Sequence, residues 1–168
     1  MDRLSKDEYY LDIARAVCKR STCLKRRYGS VIVNNDEIIA TGYNGNPRTL
    51  ENCCDKGMCS RLDAPHNSGD YSDCHSVHAE QNAMLSASRK DMIGATLYLY
   101  GESANGHEYV GEKIVSVSFN PLVEPPLPCP ICTRMLLNSG IEDVVVKDGF
   151  RFKHIDLKEL YKGYMEEK

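Results

Sequence analysis

His78-Ala79-Glu80 and Pro128-Cys129-Pro130-Ile131-Cys132 lie far apart in the chain, and each reads as the start of a helix. Pro130 stands where a first helical residue can forgo its amide hydrogen. Cys129 and Cys132, at i and i+3, fall on one face of a single turn. Two thiolates and one imidazole supply three ligands of a tetrahedral zinc ion and leave its fourth position to water, an arrangement that serves catalysis rather than scaffolding. A chain that uses these residues together must bring two helix N-termini to one point.

The rest of the sequence predicts a frame for that meeting. Ser5 and Glu8 form a capping-box pattern, and Tyr10, Ile13, Ala14, Val17 and Cys18 follow at helical spacing, which predicts a helix over residues 6–19. Residues 30–34 and 37–43 read as a β-hairpin. Helices are expected over 78–90, over 130–138 with a stop at Gly140, and over 156–166; strands are expected over 96–100 and 141–147. In the last helix Leu157, Leu160, Tyr161 and Tyr164 share a face that packs on the sheet or on a neighbouring subunit. This alternation predicts one α/β domain over residues 1–168, with helices on both faces of a mixed sheet of about five strands in a three-layer α-β-α arrangement.

Composition narrows the partners. A formal charge of -3 provides no broad basic field for a long nucleic acid, although Lys25, Arg26 and Arg27 could hold one phosphate. No Trp and only 3 Phe leave few aromatic platforms for a flipped base. A small substrate is therefore expected. The opening MDRLSKDEYY has no apolar run of signal length and no stretch is long enough to span a bilayer, so a cytoplasmic setting without membrane attachment is expected. In a reducing compartment, clustered members of the 8 cysteines are better read as metal ligands or reactive thiols than as disulfides. Cys18, on the apolar face of the first helix, belongs to the core. Residues 44–76, rich in Gly, Pro, Asn, Asp and Cys, form a loop too long to order itself, and a metal is the natural pin.

Both helix N-termini would favour thiolates and a hydroxide through their free amides and partial positive charge. Zinc lowers the pKa of water from about 16 towards about 7 and so supplies a nucleophile at neutral pH. Glu80, in the first turn beside His78, need not be a ligand; it can take the proton of the water and pass it to a ring nitrogen and then to a departing amine. The chemistry that suits this set is hydrolytic removal of an exocyclic amine from an aromatic ring. His-x-Glu followed by Pro-Cys-x-x-Cys is the signature of zinc deaminases.

Over residues 5–150 the chain resembles the deoxycytidylate deaminases of the cytidine deaminase superfamily. Ser21-Thr22-Cys23, Arg26-Arg27, Val31-Ile32-Val33, Thr41-Gly42-Tyr43-Asn44-Gly45, Cys54-Asp55, Val77-His78-Ala79-Glu80-Gln81-Asn82-Ala83 and Gly94-Ala95-Thr96-Leu97-Tyr98 carry the resemblance. It implies a cytidine-deaminase-like fold and zinc-dependent conversion of dCMP, or a close cytosine nucleotide, to its uracil counterpart with release of ammonia. It also implies that Asn44 bonds the sugar or base, that the Ala79 backbone helps hold the pyrimidine, and that Arg26 or Arg27 meets the phosphate. The bland alternative for the arginine pair is a solvated turn or a subunit contact. Arg89 falls where some phage relatives place an arginine near the site, or else it satisfies last-turn carbonyls. A second, structural zinc is implied for the cysteine-rich loop, with Cys23, Cys53 and Cys74 joined by Cys59 or His75, and His66 as a substitute; the alternative is a group of reduced cysteines. A homo-oligomer, a hexamer by resemblance, and dCTP or dTTP effectors with Mg²⁺ complete what the family implies.

Two departures stand out. Residues 101–127 form an insertion where the family has only a few residues, able to make a hairpin that reshapes the pocket, binds an effector or extends an interface. Val146 occupies the place of a frequent tyrosine. Competing readings are a deaminase of another base, nucleoside or nucleic acid, and a zinc-organised regulatory module without catalysis.

Overall fold

A computed structural model describes residues 3–65 and 73–166. Helix α1 (Lys6–Cys18) starts at Ser5, whose hydroxyl accepts the Glu8 amide at 3.2 Å. Strands β1 (Arg26–Asn34) and β2 (Glu37–Tyr43) pair antiparallel across Asn35 and Asp36. Both turn residues take positive φ, 48° and 66°, as a two-residue turn matched to strand twist requires.

After the short helix α2 (Cys53–Lys56) come α3 (Ala79–Leu85), α4 (Arg89–Met92), the long strand β3 (Thr96–Val110), β4 (Lys113–Pro121) and α5 (Pro130–Ser139). Strands β5 (Asp143–Asp148) and β6 (Arg151–Asp156) and helix α6 (Leu157–Glu166) close the sequence of elements. The sheet order is β2-β1-β3-β5-β6, and β4 pairs with the far half of β3. Thr96–Tyr98 of β3 runs parallel to Asp143–Val145 of β5, and the other pairings are antiparallel.

Strand side chains alternate between two cores. Val31, Val33, Tyr98 and Val145 pack against Tyr10, Leu11 and Ala14 of α1. Ile32, Leu97, Leu99, Val144 and Val146 pack against Ala83, Met84, Met92, Leu136 and Leu157 from α3 to α6. The expected three-layer arrangement is therefore present, with a mixed sheet of six strands rather than about five.

Four local differences have physical causes. The helix expected over 78–90 is two, because the Ser86 hydroxyl bonds back to the Asn82 carbonyl at 2.9 Å and the Ser88 hydroxyl to Asp91 at 2.5 Å, drawing the backbone out of helix between them. The strand expected to end at Tyr100 runs on to Val110, since the insertion folds into a hairpin with β4. Strand β6 escaped the sequence reading because Ile155 is its one buried side chain, too little for an alternating pattern. The cysteine-rich loop contains α2, capped by Asn52 and Asp55 and ended by Gly57 at φ 65°. Helix α6 packs on α5 within the chain, with the Tyr164 hydroxyl donating to the Pro128 carbonyl at 2.7 Å. Among the described residues no helix is long and apolar enough to cross a membrane.

The start of α3 rests directly on β2. A Cβ at Gly42 would lie 2.3 Å from both the Ala79 carbonyl oxygen and the Ala83 nitrogen, which are backbone atoms that cannot swing aside. Gly42→Ala should therefore cost at least the roughly 1–3 kcal/mol typical of overpacking. Urea denaturation checks this, and an unchanged midpoint would mean that α3 is not seated as described.

Candidate active site

His78 is the N-cap of α3, in extended conformation at φ -69° and ψ 155°, and its amide donates to Gln81 Oε1 at 3.0 Å. Ser30, on the central strand β1, donates its hydroxyl to the Ala79 carbonyl at 2.8 Å and so pins this end of α3 to the sheet. Cys129 is the N-cap of α5, followed by Pro130 at the first helical position. Its sulfur accepts the Cys132 amide at 3.4 Å, and Thr133 Oγ1 donates to the Pro128 and Cys129 carbonyls at 3.2 and 3.0 Å. The residues that begin each helix thus also aim its first side chains.

The two starts meet. His78 Nδ1 lies 3.4 Å from Cys132 Sγ and 3.7 Å from Cys129 Sγ, and the three donor atoms all fall within 4.8 Å of one another. One divalent ion fits that spacing and that donor chemistry. Glu80 stands beside them, only 5% exposed. Burial pushes its carboxyl pKa up, against the opposing pull of His78. The two thiols are too close to ionise independently. Hydrogen bonding with Cys132, then with His78, brings Cys129 down to about 4, while that bond to Cys129, burial and Glu80 push Cys132 up. Hydrogen bonding to Cys129 raises the His78 pKa in spite of burial. A cation at this point would relieve the crowding of negative charge that two thiolates and a carboxylate create.

A cavity of about 130 Å³ opens onto this group, walled in part by His78, Ala79, Glu80, Cys129, Asn44 and Arg26. Asn44 is 7% exposed and tightly held: its Oδ1 accepts from the Tyr28 amide and the Ser21 hydroxyl, each at 2.7 Å, and its Nδ2 donates to the Arg26 carbonyl at 2.9 Å. The second hydrogen on Nδ2 remains for the cavity. The Ala79 carbonyl is taken by Ser30, so its amide is the group left at the helix start. A larger cleft of about 950 Å³ lies between α1 and the β3–β4 hairpin and contains none of the metal-donor residues. The smaller cavity is the one with the chemistry.

The arginine pair is divided by strand alternation. Arg26 faces the cavity, with Nη1 3.5 Å from the Tyr28 hydroxyl. Arg27 faces the larger cleft, its guanidinium 3.7 Å from the centre of the Phe119 ring. Arg89 donates to the Asn138 carbonyl at 3.3 Å, the last-turn role, and Val146 is buried in the core rather than in the cavity wall. Cys23, Cys59 and Cys74 line the same cavity. Burial, and then the nearby Cys23, Cys59 and Cys74 thiols, push Cys53 up to about 11, so these four cysteines form one neighbourhood. Among the described residues, however, only His78, Cys129 and Cys132 meet the tight spacing of a metal set. The adjacent Cys54 thiol adds a smaller push on Cys53, and its Sγ also lies 3.5 Å from Asp55. His66 lies outside the described residues. Tyr28, Lys25 and Arg61 also reach the cavity without having been singled out for it as a set. Tyr28 follows Arg26 at strand period and was legible, whereas Arg61 sits in a loop that has no period.

This arrangement describes the class of zinc-binding α/β deaminases. The family described as the cytidine and deoxycytidylate deaminase zinc-binding region matches residues 4–148. The deoxycytidylate deaminase of Mycobacterium phage D29 is 36% identical over 151 residues, covering 86% of this chain and 96% of its own length. That of Saccharomyces cerevisiae is 35% identical over 161 residues, 94% of this chain but 42% of its own length. The fold is similar to that of cyanophage S-TIM5 dCMP deaminase in apo form, with a TM-score of 0.55 at 23% identity over 85% of this chain and 82% of the other. The chain belongs to the cytidine and deoxycytidylate deaminase family.

Asn44 ties three segments of the pocket wall together. Asn44→Ala should leave the Tyr28 amide without its acceptor and cost about 1–3 kcal/mol for the buried group left unpaired. Equilibrium unfolding reads the loss, and wild-type stability would show that these bonds do not hold the wall.

Proposed function

We propose that this protein hydrolyses the exocyclic amine of dCMP, giving dUMP and ammonia, in pyrimidine nucleotide metabolism. The observation that carries the reading is the placement of the buried Glu80 carboxyl against a set of three metal donors, His78, Cys129 and Cys132. These three would hold zinc, which supplies a nucleophile at neutral pH by lowering the pKa of water. Glu80 takes a proton from the attacking water and places it on the ring nitrogen next to the amine-bearing carbon. It then takes the remaining hydroxyl proton and gives it to the amine, which leaves as ammonia. Each proton that Glu80 accepts it returns, so the carboxylate ends as it began.

Other groups orient the base and keep water out. The free hydrogen of Asn44 Nδ2 and the Ala79 amide are the polar groups offered to the pyrimidine and sugar, and Leu99 and Leu127 give the cavity apolar wall. Arg26, rather than Arg27, is the phosphate contact, because it alone of the pair faces the cavity. The names of the phage and yeast relatives favour dCMP as the substrate. A second, structural zinc on Cys23, Cys53, Cys59 and Cys74 accords with their shared neighbourhood. Assembly of several copies and control by dCTP and dTTP with Mg²⁺ belong to this reading through family resemblance alone, and a cytoplasmic setting through the lack of an apolar leader or spanning run in the sequence.

Zinc-loaded protein should release ammonia from dCMP in preference to CMP, dCTP, deoxycytidine and guanine; no turnover of dCMP by metal-replete protein would overturn the proposal. Glu80→Gln should keep its zinc and fold while turnover falls by about 10²-fold or more, and wild-type turnover would remove the proton-carrying role. Cys53→Ser should lower the zinc content from two ions per chain to one and lower the melting temperature with it. An unchanged metal count would eliminate the second site.

A further inference from the structure

We infer that Tyr164, near the end of α6, is a positioning residue for the metal centre, acting through the Pro128 carbonyl on the direction in which Cys129 enters the site. The inference rests on the reading of His78, Cys129 and Cys132 as the zinc set of a deaminase. Among the described residues none of α6 lines the cavity, yet the Tyr164 hydroxyl donates to the Pro128 carbonyl at 2.7 Å, and the residues on either side of Pro128, Leu127 and Cys129, both line it. Soft dihedrals are few at this point. The Pro128 ring locks its own φ, and Pro130 confines Cys129 to extended backbone, where φ -64° and ψ 164° place it. The widest backbone freedom left is the ψ of Pro128, and that angle sets where the Pro128 carbonyl oxygen points.

Two hydroxyls bond that oxygen. Thr133 reaches it at 3.2 Å but carries one hydrogen, which it shares with the nearer Cys129 carbonyl at 3.0 Å. The shorter bond, and the one that comes from outside α5, is that of Tyr164. Pro128 is fully buried, so bulk water does not replace a lost donor. Helix α6 is itself firmly anchored. Leu157 is buried in the core, its amide donates to the Glu142 carbonyl at 3.2 Å, and Asp156 Oδ1 accepts the Lys158 and Glu159 amides at 2.8 and 3.1 Å. Leu160 packs against the same core, and Leu157, Leu160 and Tyr164 share one face at i, i+3 and i+7. The core therefore reaches the Cys129 backbone through α6 as well as through α5, and a site is held as precisely as the groups behind it allow.

Zinc release from the loaded full chain to a colorimetric chelator tests this without substrate, the relevant phase being the one that Cys132→Ser lacks. Tyr164→Phe keeps the ring and removes the hydroxyl. It should release that ion about three- to tenfold faster, the order of one neutral hydrogen bond, and kcat for dCMP should fall while KM holds. Leu160→Ala, which loosens the same helix without removing a bond to Pro128, should lower the melting temperature more and change the release rate less. On a Thr133→Val background, where the Pro128 carbonyl has lost its other hydroxyl, Tyr164→Phe should speed release by a larger factor than in the wild type. An unchanged release rate, a rate that follows the melting temperature in both α6 variants, or an equal factor in the two backgrounds would overturn the assignment. If the wild type turns over no dCMP, the deaminase reading fails while the release rates still decide the role of Tyr164; if it holds no zinc at the three donors, both fall.

Discussion

The structure depends on the contact between the start of α3 and the two strands beneath it. Gly42 lets backbone meet backbone, and Ser30 hands its hydroxyl to the Ala79 carbonyl, so the first turn of α3 is fixed to the sheet rather than to loops. Helix α5 is fixed by another route: it crosses over between β3 and β5, which run parallel, and Thr133 locks its entry. Because both helices begin at the same side of the sheet, a histidine and two cysteines from distant parts of the sequence need only their own cap geometry to converge. The metal donors are set by the frame, and the frame is set by β-branched and small residues that carry no chemistry.

That division explains what was readable beforehand. The His-x-Glu and Cys-x-x-Cys words sit at helix starts, where local rules of capping govern, and the structure places them together as their spacing implied. Helix α1 and strand β2 obey simple periods and came out almost to the residue, whereas β1 begins four residues before the expected start, at Arg26. The misreadings fell where a side-chain hydrogen bond, sparse burial or a tertiary partner overrides the period. The Ser86 hydroxyl, turned back onto the Asn82 carbonyl, splits α3 from α4; a strand with one buried side chain, β6, gives no alternation to find; and β3 reaches three times its expected length because β1 and then β4 pair with it beyond Tyr100. The adjacent arginines show the same limit from the opposite direction. Strand pairing, not proximity in sequence, sends Arg26 and Arg27 to different cavities.

Charge at the site follows a related logic. Two cysteines and a carboxyl gathered in a dry pocket repel ionisation, and the protein answers by pairing low and high affinities for the proton within a few ångströms. Such a set favours a cation over empty space, and the same dryness that makes it costly makes its proton transfers directional. Arg26 and the tightly held Asn44 line the same cavity, so one enclosure gathers the reactive group and the polar groups of its wall.

Beyond its pairing with β1, the insertion hairpin bonds three carbonyls of earlier chain: the Ile114 amide donates to the Gly57 carbonyl at 2.8 Å, the Ala104 amide to the Lys25 carbonyl at 2.9 Å, and His107 Nε2 meets the Leu24 carbonyl at 2.8 Å. All three partners flank or lie within the cysteine-bearing segments, which precede the hairpin in the sequence by many tens of residues. On a ribosome, at roughly 5–20 residues per second, the loop with its thiols emerges seconds before the strands that brace it. The order of synthesis thus leaves the cysteines open to their surroundings first and encloses them afterwards, which turns a late insertion into the clasp of an early loop.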